Sequence, residues 1–74
     1  MTRPVVTAEA ITEEEIREVL RSRALAKSKL MRRTIVGVAL GDGARYVRDG
    51  VEMTQAAARA RCAEILEARR KEGK

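Results

Sequence analysis

The 74-residue chain carries sixteen Lys and Arg against eleven Asp and Glu, a net charge of +5, with no histidine, one cysteine and one aromatic residue, Tyr46. That length allows one domain, which buries only roughly 60% of the surface its unfolded chain exposes. Histidine catalysis and histidine–metal sites are excluded, a disulfide within the chain cannot form from Cys62 alone, and no apolar run approaches the roughly 20 residues of a membrane span.

Residues 1–10, with Pro4 and no periodicity, read as a flexible arm. They lack the basic-then-apolar plan of a signal peptide, and together with a single unpaired cysteine this gives a cytoplasmic expectation. Thr12 followed by Glu13, Glu14 and Glu15 predicts a helix start: a hydroxyl to cap a free N–H, a glutamate at the third position to complete a capping box, and negative charge on the positive end of the dipole. Ile11 is placed to staple onto Ile16.

From Ile16 onward Val19, Leu20, Ala24, Ala26, Leu30, Met31, Ile35 and Val38 fall on one face at 3.6 residues per turn, which predicts a single helix from about residue 12 into the thirties. Arg23 and Lys27 interrupt that face. In "TIVGVAL" the β-branched Thr34, Ile35, Val36 and Val38 and the interior Gly37 favour a strand, whereas the continuing face and a glycine cap at Leu40-Gly41 favour helix. Helix is the preferred reading, with strand left open.

Asp49-Gly50 between "RYVR" and "VEMT" has the composition of a type I′ hairpin turn, where both residues need positive φ. Pairing Arg48 with Val51 and Tyr46 with Met53 sets Tyr46, Val51 and Met53 on one face. Thr54 caps a final alanine-rich helix that runs to about residue 71, with a narrow stripe of Ala58, Cys62, Ile65 and Leu66 and a basic end at Arg69, Arg70 and Lys71. Residues 73–74 are expected to fray. The fold class is therefore mainly α (α+β), one small domain over residues 11–72: a long N-terminal helix, a short β-hairpin or turn, and a C-terminal helix. An all-α helical hairpin or a three-helix arrangement is the alternative.

Little of this composition suggests chemistry. Paired carboxylates need a pocket that so short a chain does not build. Cys62 has Arg59 and Arg61 nearby but lies on the apolar stripe of its helix, where cysteine acts as a small hydrophobe. "GDG" at 41–43 lacks the strand, helix and lysine of a phosphate loop and reads as a turn. The expectation is a protein that is not an enzyme and has no cofactor, no metal, no small-molecule substrate and no membrane partner.

Charge is unevenly spread. Residues 1–20 are acidic, whereas residues 21–50 hold Arg21, Arg23, Lys27, Lys29, Arg32, Arg33, Arg45 and Arg48 against only Asp42 and Asp49. A basic band from Arg21 to Arg33 fits phosphates or an acidic protein face. "VRDGVEMTQAAARARCA" resembles part of a helix-turn-helix over roughly residues 46–63, which implies DNA reading. After Cys62, however, "AEILEARR" continues without the glycine turn that would present a recognition helix. The helix, hairpin, helix order and the size are also similar to the small head-completion proteins of tailed phages.

Two functions are expected from these features. The first is a non-enzymatic adaptor or regulator that docks through the apolar face of Leu30, Met31, Ile35 and Val38 on another protein or on itself as a homodimer. The second is a DNA-binding regulator or phage accessory protein whose Arg21, Arg23, Lys27, Lys29, Arg32 and Arg33 contact phosphates.

Overall fold

The computed structural model describes residues 7–23 and 28–72. Within them helix α1 (Glu13–Arg21) and helix α2 (Lys29–Leu40) are followed by strands β1 (Val47–Arg48) and β2 (Val51–Glu52) and by helix α3 (Gln55–Glu72). The protein is mainly helical with a short antiparallel hairpin between helices. Residues 1–6 of the expected arm, residues 73–74, and Ala24, Ala26 and Lys27 lie outside the described residues.

A turn at residues 7–10 leads into Ile11, which is buried. The Thr12 hydroxyl accepts the Glu15 N–H at 3.2 Å while the Glu15 carboxylate accepts the Thr12 N–H at 3.3 Å, so the capping box forms as the sequence predicts. Ile16 and Val19 are completely buried on the inner face of α1. Each contributes about 1.5–3 kcal/mol of apolar burial.

The single helix expected from residue 12 into the thirties is two helices. Ser22 caps the end of α1 with an extended backbone, φ −77 and ψ 145, and Ser28 begins α2 by accepting the Met31 N–H on its hydroxyl at 2.9 Å. An uninterrupted helix over these residues would be about 40 Å long and present one straight stripe. Broken, the same stripe folds round α3, so that α1 and α2 both pack on it and on each other. The apolar period runs through the break because both halves face one core.

α2 keeps the β-branched "TIVGVAL" helical. Gly37 in its middle has a steric reason: a Cβ there would lie 2.7 Å from the Cβ of Ala44, on the segment that returns toward the hairpin. Gly41 stops the helix in the left-handed conformation, φ 75, its N–H donating to the Val38 carbonyl while the Asp42 N–H donates to that of Gly37.

Asp49 and Gly50 both take positive φ, 53 and 77, and the register pairs Val47 with Glu52 and Arg48 with Val51. The Met53 N–H donates to the Tyr46 carbonyl at 2.8 Å, which extends the pairing as the Asp-Gly turn predicts. Thr54 then caps α3 by accepting the Ala57 N–H at 3.1 Å. The expected stripe of Ala58, Cys62, Ile65 and Leu66 is buried, joined by Ala63. Two long side chains from α3 tie off distant backbone: Gln55 donates to the Ala39 carbonyl at 3.2 Å and Arg59 to the Ile11 carbonyl at 2.8 Å.

Candidate functional site

Side chains alternate across a hairpin, so pairing Arg48 with Val51 sets these two, with Tyr46 and Met53, on one face, and turns Val47 and Glu52 to the other. The first face looks toward α2 and the start of α3. Between them lies an open groove of about 770 Å³ lined by Met31 and Ile35 of α2, by Tyr46, Arg48, Asp49, Val51, Glu52 and Met53 of the hairpin, and by Thr54, Ala57 and Arg61 at the start of α3. Apolar side chains form its floor and walls, and charged ones its rim.

The four apolar candidates divide. Ile35 and Val38 are buried at 3% and 7% exposure, Ile35 beneath the groove and Val38 in the core away from it. Met31 is half-buried in the groove wall, and Leu30, one position back on α2, is 75% exposed. Val51 on the facing hairpin is 70% exposed. The sequence sets Tyr46, Val51 and Met53 on a common face; Tyr46 and Met53 pack against the core, and Val51 stands clear of it. The pleat was the signal, and it does not say how far a hairpin stands off.

The cationic candidates also divide. Arg21 and Arg23 at the end of α1, and Lys29 and Arg33 on the first turns of α2, are exposed, and none forms an ion pair with another described residue. Arg32 is turned inward: its guanidinium donates to the Ser22 carbonyl and joins the two helix ends, and its Nε has no hydrogen-bond partner among the described residues. Lys27 lies outside the described residues.

Two acidic side chains of α1 are engaged elsewhere. Glu18 meets Arg69 at 2.6 Å and Glu15 meets Arg70 at 3.6 Å, across to the far end of α3. The hydrogen bond and charge of Arg69, with a lesser contribution from Arg21, hold the Glu18 carboxyl below its ordinary value. On the outer hairpin face Arg45 and Glu52 pair at 2.7 Å, which lowers the Glu52 carboxyl in the same way, and Arg61 pairs with Glu64 at 3.0 Å. Such exposed pairs orient side chains more than they stabilise the fold.

Cys62 is fully buried, and burial pushes its thiol up to about 11 against a small opposing effect of Arg59. A neutral thiol packed in the core is a hydrophobe, as its place on the stripe predicts. Among the described residues no group of acidic or thiol side chains is arranged to hold a metal ion, and no helix is long and apolar enough to cross a membrane. Comparison with protein-family models, curated proteins and solved structures gives no match to this chain.

Proposed function

We propose that this chain is a non-enzymatic binding protein, an adaptor or regulator of the cytoplasm, that acts as a homodimer through the groove between α2, the hairpin and α3. One observation carries the reading: an apolar groove of about 770 Å³ stands open between α2, the hairpin and α3, with Val51 in its wall 70% exposed. Exposed contiguous apolar surface on so small a protein marks an interaction site.

A second copy is the favoured occupant because the rim carries both signs. Arg48 adjoins Asp49, and Arg61 is neutralised by Glu64, so two grooves can meet about a twofold axis without the repulsion that a net charge of +5 imposes elsewhere. Sedimentation equilibrium across micromolar concentrations tests this. A dimer is expected for the natural chain, and a monomer of unchanged helicity for Val51→Asp and for Met31→Asp, both of which line the groove. A natural chain that stays monomeric, or a dimer indifferent to both substitutions, overturns the reading.

A further inference from the structure

The break between α1 and α2 gathers cations that a continuous helix would distribute along its length. Arg32 donates to the Ser22 carbonyl, and the four exposed cations bracket that contact: Arg21 and Arg23 flank Ser22 in the chain, while Lys29 and Arg33 lie three residues before and one residue after Arg32. Lys29 and Arg33 are one turn apart on the same face of α2. The first turn of α2 contains no acidic residue, so its free N–H groups and partial positive charge add to the same corner.

Outside these four exposed cations the sequence nearly balances, with twelve Lys and Arg against eleven Asp and Glu, so the corner accounts for most of the net charge of +5. From this juxtaposition we propose that the α1–α2 corner is a phosphate-binding surface that engages the backbone of duplex nucleic acid without reading bases. Three of its four exposed cations are arginines, whose planar forks match phosphate oxygens. Tyr46, the only aromatic, lies in the groove, so the corner offers no platform on which unpaired bases could stack. The site is separate from the groove and does not depend on dimerisation there.

The probe is a labelled 20-base-pair duplex of arbitrary sequence, followed by fluorescence anisotropy at several salt concentrations. Four phosphate contacts give a log–log salt slope of about −3.6 per corner, and hence a loss of roughly 150-fold in affinity between 50 and 200 mM salt. Replacing two exposed cations in Lys29→Ala/Arg33→Ala reduces the slope by about 1.8. Arg45→Ala removes a cation on the outer hairpin face, outside the corner, and is expected to leave the slope unchanged, whereas Arg33→Ala alone reduces it by about 0.9; circular dichroism verifies that the variants keep their helices. No binding at 50 mM salt overturns the proposal, and so does an equal effect of Arg33→Ala and Arg45→Ala, which would reduce the corner to bulk charge. Tighter binding of polyglutamate than of duplex would overturn it in favour of an acidic protein face.

Discussion

Gly37 and Ala44 touch backbone to methyl: a Cβ added to Gly37 would stand 2.7 Å from that of Ala44, closer than two carbons can pack. The glycine that weakens the middle of α2 is thus what lets the chain double back beside it and deliver the hairpin to the groove. Gly37→Ala gains about 1 kcal/mol of helix propensity and loses about 1–3 kcal/mol to overpacking against a rigid methyl. Net destabilisation is expected in urea denaturation. In an Ala44→Gly background the clash is gone, and Gly37→Ala should become stabilising; a cycle in which the two substitutions simply add would remove this account of Gly37.

The serine that starts α2 replaces a helix interior with a helix end. Ser28→Ala strips the acceptor from the Met31 N–H and is expected to cost about 1 kcal/mol. Were residues 12–40 one helix, the same substitution would be neutral or favourable, because alanine is the better interior residue. Thermal unfolding of the variant therefore reports directly on the break.

Cys62 should be silent toward thiol reagents in the folded protein and react only as the chain opens. The neutral thiol is favoured by the fold, with a folded value of about 11 against an ordinary 9.0. Its contribution to stability is complete below 9.0 and is lost as pH rises through about 11. Labelling at pH 8 in increasing urea checks this, and modification without denaturant at the rate of a free thiol would contradict it. Cys62→Ser, which buries a hydroxyl among aliphatics, is expected to cost about 1–3 kcal/mol.

Glu18 behaves in the opposite sense. Arg69 lowers its carboxyl, so the pair supports the fold above the ordinary value of 4.5 and the support fades as pH falls through the lowered one. NMR titration should find Glu18 below 4.5 in the natural chain and shifted back upward in Arg69→Ala. High salt should narrow the difference, since both side chains are exposed.

What the sequence disclosed follows from how locally each feature is determined. The capping box at Thr12 and Glu15, the Asp49-Gly50 turn with its register, the glycine stop at Gly41 and the Thr54 cap all depend on residues within four positions of one another, and all stand as expected. The break at Ser22 is hidden because α1 and α2 share one core and the apolar period resumes across it; the flanking serines and the interruption of the face by Arg23 and Lys27 are its local traces. The sorting of Met31 and Leu30 from Ile35 and Val38 depends on which side of the stripe α3 covers, a tertiary fact. Arg32 was grouped with its neighbours for the same reason: nothing local says that Ser22 comes near enough to receive it.

Because Tyr46 lines the groove and no other aromatic ring exists in the chain, the ultraviolet emission of this protein originates at a single place. A molecule seated between α2 and the hairpin would alter that emission, so the natural polypeptide carries its own unlabelled gauge for occupancy of the groove.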